Sequence, residues 1–152
     1  MDAISTDRIE KQVVIRAPRS RVWQALADTE QLGQWFGIRL GPGQVTDGTR
    51  IRGSIAHPGY EHLTFDATVE RCQPERVLAW RWHPDPEHPE DEPTTLVTFE
   101  LTDVEGGTLL TVVESGLSAI PPERRDRVYR GNEAGWSQQV QNVERHVLGA
   151  GA

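Results

Sequence analysis

Glu114 is the carboxylate in this sequence whose position most suggests chemistry. It shares one side of a predicted strand with Leu110 and Val112, and these apolar side chains should face the protein interior. A carboxylate on that side has to be paired, protonated or able to reach water. Glu114 is therefore a strand-end residue in contact with water, a polar anchor for a ligand, or a general acid or base.

Asn132 is the second candidate, and it lies on the apolar stripe of a predicted C-terminal helix, one turn before Trp136. A polar group on a buried face needs a partner, so Asn132 either completes a hydrogen bond in the core or orients a ligand. Gly135 costs a helix about 1 kcal/mol relative to Ala. It either lets a ligand or a strand approach the helix backbone or marks a bend.

Large aromatic side chains supply the apolar part of the candidate site. Trp35 and Phe36 follow a short predicted helix, and Trp80 and Trp82 lie on the same side of a predicted strand. Such rings fill either a core or the wall of a pocket, and core packing is the alternative interpretation for each of them. The complete set of expected ligand-binding residues is Trp35, Phe36, Phe65, Trp80, Trp82, Phe99, Val112, Glu114, Asn132, Gly135 and Trp136.

Other reactive residue types lack the spacing that their chemistry needs. The five histidines include no pair at helical metal-ligand spacing, although His57 and His62 could meet across a turn, and Cys72 is the single cysteine. Ser115-Gly116 is not in a G-x-S-x-G frame, and Gly41-Pro42-Gly43 lacks the lysine and helix of a phosphate loop. We therefore expect no catalytic triad, no metal and no cofactor.

Composition narrows the class of protein further. The 152 residues include 16 basic and 23 acidic ones, a net charge of −7 that argues against nucleic-acid binding. One cysteine cannot form an internal disulfide, the N-terminus lacks the apolar segment of a signal peptide, and no apolar run approaches the ~20 residues of a membrane span. We expect a cytoplasmic protein without a membrane span.

The elements that position the candidates are mostly short strands. Strands are predicted at residues 9–16, 49–56, 62–71, 77–83, 94–102 and 108–115. Two short helices are expected after the first strand, at 17–26 with Pro18 in the first turn, and at 30–35 with Thr29 as cap. Residues 1–8 should be frayed and the proline-rich, acidic stretch 84–93 a solvent loop. Short connections favour an antiparallel meander.

The last element is a helix predicted over residues 121–148, roughly 40 Å long. Its apolar stripe continues through Val140, Val143 and Val147, so it needs a sheet to lie against. The fold class is α+β, with about six to seven antiparallel strands curled around this helix in one domain spanning residues 1–152. A sheet that curls around a helix leaves a cavity, the usual position of a ligand.

Several motifs occur in the order found in a known superfamily. They are 15–18 running into 22–26, Trp35-Phe36, Asp47-Gly48, 74–78 leading to Trp80, 107–110 running into 114–116, and Gly135-Trp136. The chain resembles the START-like (SRPBCC, birch-allergen-like) superfamily. Within it, the chain is most similar to the branch named after the C-terminal domain of the activator of the heat-shock chaperone's ATPase. The resemblance implies a helix-grip fold with a pocket between sheet and long helix.

The resemblance does not select one activity, because the superfamily includes lipid and hormone carriers, polyketide cyclases and stand-alone bacterial proteins. The main hypothesis is a non-catalytic protein that binds a small apolar or aromatic molecule. One alternative is a cyclase- or hydrolase-type enzyme that uses Glu114 with Asn132 or a histidine. Another is an interaction or co-chaperone-like module, although chaperone activation is tied to a separate N-terminal domain for which this chain has no room. A homodimer is also possible.

Overall fold

A single antiparallel sheet of seven strands forms the centre of the computed structural model, which describes residues 7–85 and 94–149. The strands are β1 Arg8–Ile15, β2 Ile38–Arg39, β3 Arg50–Ile55, β4 Thr64–Gln73, β5 Val77–Trp82, β6 Thr95–Val104 and β7 Gly107–Ser115. Their spatial order is β1-β7-β6-β5-β4-β3-β2. The predicted meander is confirmed from β2 to β7, and β1 adds to its far end by pairing with β7.

Three α-helices accompany the sheet, as predicted: α1 Arg19–Ala27, α2 Thr29–Phe36 and α3 Pro122–Gly149. The long helix α3 packs on β1 and on both short helices. Val140, Val143 and Val147 are buried, so the C-terminal half of the apolar stripe belongs to the core. Among the described helices, none has the combination of length and hydropathy that a transmembrane segment needs.

The caps of the two short helices differ from the prediction. Asp28, not Thr29, caps α2, because its Oδ1 accepts hydrogen bonds from the backbone N–H groups of Glu30 and Gln31 at 3.0 and 3.2 Å. Thr29 is the first helical residue, and its hydroxyl donates to the carbonyl of Gly41. Pro18 is the residue before α1 rather than part of its first turn.

The glycine-rich stretch after α2 contains the short strand β2, which the sequence pattern did not reveal. Gly53 of β3 explains how β2 can lie so close: a Cβ there would be 2.3 Å from the carbonyl oxygen of Arg39. A short 3-10 helix at Leu117–Ala119, also unpredicted, joins β7 to α3. Both elements are too short for a periodic pattern.

The expectation of a frayed N-terminus is wrong for its last two residues. Arg8 begins β1, and the side chain of Asp7 accepts hydrogen bonds from the backbone and hydroxyl of Ser118. These bonds also lower the pKa of Asp7. Residues 1–6 and most of the expected loop at 84–93 lie outside the described residues.

Candidate ligand-binding site

Glu114 lies at the centre of a buried hydrogen-bond network. Strand alternation turns every second residue of β7 toward the core, and Glu114 follows Leu110 and Val112 on that face with no exposed surface. Within the described residues Glu114 belongs to no ion pair. Hydrogen bonds from uncharged groups have to compensate the desolvation of this carboxylate.

Four side chains from three elements donate to the two carboxylate oxygens. Oε2 accepts from the hydroxyl of Thr95 at 2.6 Å and from the indole N–H of Trp82 at 3.0 Å. Oε1 accepts from the indole N–H of Trp136 at 2.9 Å and from the amide of Asn132 at 3.1 Å. Glu114 is the charged partner of all four donors. It therefore fixes the orientation of both indoles and of Asn132.

This network does not place Glu114 where a substrate could reach it. A general acid or base has to approach the reacting group within about 2.6–3.2 Å, directly or through one water. Glu114 is fully buried, and it lines neither of the two cavities described below. The geometry therefore supports a positioning role for Glu114, and the strand-end contact with water considered from the sequence is wrong.

Two of the donors, Trp82 and Trp136, also belong to a cluster of aromatic rings around Phe36. Its ring lies 5.3–6.1 Å, centroid to centroid, from those of Phe65, Trp80, Trp82 and Trp136, in edge-on orientations. Phe36 ends α2 and is followed by Gly37, whose φ of 92° is the left-handed conformation that terminates a helix. Edge-on contacts of this kind stabilise aromatic clusters beyond the area they bury.

A cavity of about 620 Å³ adjoins this cluster, within the range of small-molecule pockets. Its described lining residues are Phe36, Arg50, Arg52, Ile55, His62, Leu63, Thr64, Phe65, Asp66, Trp82, His83, Pro84 and Asn132. The inner wall is apolar and aromatic, formed by Phe36, Phe65 and Trp82. Asn132 adds a polar group from α3, and its amide also donates to the carbonyl of Pro84 at 3.3 Å.

The cavity reaches the outer face of the sheet because β4 is longer than β5 at one end. The described pairing of these strands stops at Ala67 and Trp82, so residues 64–66 extend past the end of β5. Phe65 points to the core and Asp66 to the other face, yet both line the cavity. The cavity therefore has an apolar inner part and a charged outer part.

The charged outer part centres on Asp66. Arg50 binds this carboxylate through two hydrogen bonds of 2.9 and 2.6 Å. The pKa of Asp66 is lowered chiefly by the Arg50 hydrogen bond, with smaller contributions from the charges of Arg50, Arg52 and His83. Asp66 is consequently an anion under ordinary conditions.

A smaller space of about 110 Å³ lies on the other side of Phe36 and Trp82, against α3. Its walls on the helix include Asn132, Gly135 and Trp136. A Cβ added at Gly131 or Gly135 would have no neighbour within 4 Å, so these glycines do not serve close packing. They leave the helix surface open beside the aromatic cluster.

The structure divides the eleven predicted residues into two groups. Six line one of the cavities: Phe36, Phe65, Trp82, Asn132, Gly135 and Trp136. The other five line neither cavity and are buried: Trp35, Trp80, Phe99, Val112 and Glu114. The indole N–H of Trp35, for example, donates to the carbonyl of Ala25 at 2.7 Å and ties α2 to α1, as a core residue does.

Several residues of the site were not predicted. Thr95 is fully buried and shares the core side of β6 with Val97 and Phe99, a parity visible in the sequence. Arg50, Arg52 and Asp66 lie on the opposite side of their strands from the buried residues, where a pattern indicates only solvent. Cys72 was not expected to be a nucleophile, and burial raises the pKa of its thiol.

Comparison with known proteins identifies the family. A family model described as Activator of Hsp90 ATPase homolog 1-like protein matches residues 16–147. The chain belongs to this family. The resemblance found in the sequence is thereby confirmed, whereas comparison with curated proteins gives no match.

Solved structures with the same fold include proteins from several bacteria. This AHSA1-like protein is 24% identical to MLL2253 from Mesorhizobium loti, with a TM-score of 0.74 over 92% of this chain and 96% of that one. It is 20% identical to Ms6760 from Mycobacterium smegmatis, with a TM-score of 0.76 over 100% and 97%. It is 19% identical to Aha1 from Colwellia psychrerythraea, determined as a dimer, with a TM-score of 0.70 over 92% and 95%. At these identities the likeness establishes the fold alone.

Proposed function

We propose that this AHSA1-like protein binds a small apolar or aromatic molecule in the larger cavity, without catalysing a reaction on it. The observation that carries the proposal is the cavity of about 620 Å³ with Phe36, Phe65 and Trp82 on its inner wall. Aromatic walls with a few polar groups are typical of small-molecule sites. Asn132 is the polar group best placed to orient the ligand.

The Glu114 network supports binding better than catalysis. Glu114 holds Trp82 and Asn132, two lining residues, in fixed orientations through bonds of 3.0 and 3.1 Å. A wall that is rigid before the ligand arrives lowers the entropy cost of binding. A catalytic role would instead need the carboxylate on the cavity surface, where Glu114 does not lie.

A thermal-shift screen with fatty acids, flavonoids and aromatic metabolites tests the proposal. A ligand at a hundredfold excess over its Kd stabilises the folded protein by about 2.7 kcal/mol. For a chain of this length that corresponds to a rise in Tm of about 5–10 °C. The absence of any shift across the panel would contradict the proposal.

A pair of leucine variants shows whether a ligand found in this way occupies the cavity. Leu63 lines the cavity, so Leu63→Trp should fill it and abolish the shift. Leu148 is 47% exposed near the end of α3 and lines neither cavity, so Leu148→Trp should leave the shift unchanged. Equal ligand shifts in both variants would place the ligand elsewhere.

A homodimer, which the sequence left as one possibility, remains a prediction. The Aha1 protein of Colwellia psychrerythraea, which shares the fold, was determined as a dimer. Light scattering of the purified protein measures its mass in solution and decides between monomer and dimer.

A further inference from the structure

The outer part of the larger cavity carries an excess of positive charge on a protein whose net charge is −7. Among its described lining residues, Arg50 and Arg52 accompany a single carboxylate, Asp66. The two arginines are two positions apart on β3 and therefore point to the same side of the sheet. One negative charge cannot neutralise two guanidinium groups, so the described lining residues of this part of the cavity carry a surplus of one positive charge before any histidine is protonated.

The two arginines are engaged to different degrees. Arg50 uses two of its N–H groups on Asp66. Arg52 lies 3.9 Å from the same carboxylate, too far for a hydrogen bond, and makes no hydrogen bond with the described residues. Its guanidinium, which offers five donors in a planar fork, is available to an anion that enters the cavity.

The position of Arg52 relates it to the apolar part of the same cavity. Arg52 is paired with Asp66 in the β3–β4 register, next to the pair formed by Gly53 and Phe65. Phe65 belongs to the inner aromatic wall, whereas Asp66 belongs to the outer part. Because Phe65, Trp82 and Arg52 line one cavity, a molecule whose apolar body lies against Phe65 and Trp82 can extend its other end toward Arg52.

We propose that the ligand is an apolar acid, and that its carboxylate binds the guanidinium of Arg52 at the outer end of the cavity. This inference rests on the proposed function and specifies the chemical class of its ligand. A surplus of one positive charge matches a monoanion such as a carboxylate. Arg50 contributes through its charge while it remains bound to Asp66.

Two probes of the same shape and different charge test the inference. Naphthaleneacetic acid is an anion near pH 7, and naphthaleneethanol presents the same ring system with a neutral hydroxyl. Isothermal titration calorimetry at low salt should show the acid binding about threefold to fivefold more tightly than the alcohol, the effect of a charge pair with a mostly exposed guanidinium. The preference should decrease as salt is added, because the arginines are partly exposed.

Variants assign the preference to a residue. Arg52→Gln should remove the preference for the acid and leave the affinity for the alcohol unchanged. Arg81 is the matched control, since it also bonds to a carboxylate, that of Glu70 at 2.7 Å, but does not line the cavity. Arg81→Gln should retain the full preference.

The possible outcomes separate this inference from the proposed function. If the acid and the alcohol bind equally well, or only the alcohol binds, the anionic class is wrong while the cavity remains a binding site. If the preference persists in Arg52→Gln, Arg52 is not the anion's partner. If neither this pair nor any molecule of the thermal-shift panel binds, the proposed function fails together with the inference.

Discussion

At the scale of single residues, Glu114 shows how uncharged groups can hold a buried carboxyl group, since among the described residues it belongs to no ion pair. Its four described donors are uncharged and come from β5, β6 and α3, and two of these elements, β5 and α3, also line the cavity. Hydrogen bonds to a charged acceptor are worth about 1.5–3 kcal/mol each, and this offsets the desolvation of a single carboxylate. The same hydrogen bonds therefore stabilise the fold and hold two lining residues of the cavity, Trp82 and Asn132, in place.

Replacing Glu114 by glutamine should lower the free energy of unfolding by about 2–3 kcal/mol. The amide keeps one acceptor oxygen for four donors, and its NH₂ group faces donors instead of an acceptor. Urea denaturation measures the loss. Glu100 is an exposed residue of β6, so Glu100→Gln should change the stability by less than about 0.5 kcal/mol. An equally small effect at both positions would show that the network contributes little.

The candidate site was predictable from the sequence only where a side chain follows the core pattern. The alternation of side chains along a strand predicted that Glu114 and Trp82 point inward. It shows which face of the sheet a side chain is on, but not what that side chain contacts, so the four donors could not be inferred. Arg50 and Arg52 lie on the opposite face of β3 from the buried Ile51. Among the described residues, β5 ends at Trp82 while β4 continues beside the two arginines, and this is a property of the three-dimensional pairing.

At the scale of elements, the six strands and three helices with a clear period were predicted, and their ends differ by one to two residues in most cases. Strand β2 has two residues and the 3-10 helix has three, so neither element is long enough for its pattern to repeat. Thr29 was expected to cap α2, but Asp28 directly precedes it, and aspartate and threonine are both common capping residues. The choice depends on backbone conformation, which is extended at Asp28.

A pH-dependent contact joins the three helices. On α3, His146 lies 3.1 Å from the side-chain oxygen of Gln31 on α2, and that oxygen also accepts from Arg21 on α1 at 2.9 Å. Burial, and to a smaller degree the charge of Arg21, lower the pKa of His146 below its ordinary value of 6.5. The folded protein therefore binds this proton more weakly than the unfolded chain does.

The sign of the resulting pH dependence follows from linkage. The contribution of His146 to stability is complete above pH 6.5 and is lost as the pH falls through the lowered pKa. His146→Gln should therefore be less sensitive to a change from pH 8 to pH 5, measured by urea denaturation at each pH. His57→Gln, at an exposed turn position, should retain the dependence of the wild type. An unchanged slope in His146→Gln would exclude this histidine as its source.

At the scale of the whole molecule, one edge of the sheet is formed by two strands that lie far apart in the sequence. Residues 8–15 of β1 pair with residues 108–115 of β7, whereas each of the other neighbouring strands is joined by a local connection. Pairing of distant segments requires a costly loop closure before its contacts form. We expect β1 to dock late, after the β2–β7 meander has formed.

Two isoleucine-to-valine variants test this order of events. Ile15 of β1 and Ile51 of β3 are both buried, with 0% and 3% of their surface exposed, so each substitution should cost about 1 kcal/mol. Late docking of β1 means that Ile15→Val raises the unfolding rate about fivefold and barely changes the folding rate. Ile51→Val, in the local β3–β4 pair opposite Ala67, should instead slow folding.

Stopped-flow folding and unfolding in urea measures both rates. Slower folding of Ile15→Val by the full cost of the substitution would mean that β1 is already paired with β7 in the transition state, and the proposed order of events would then be wrong.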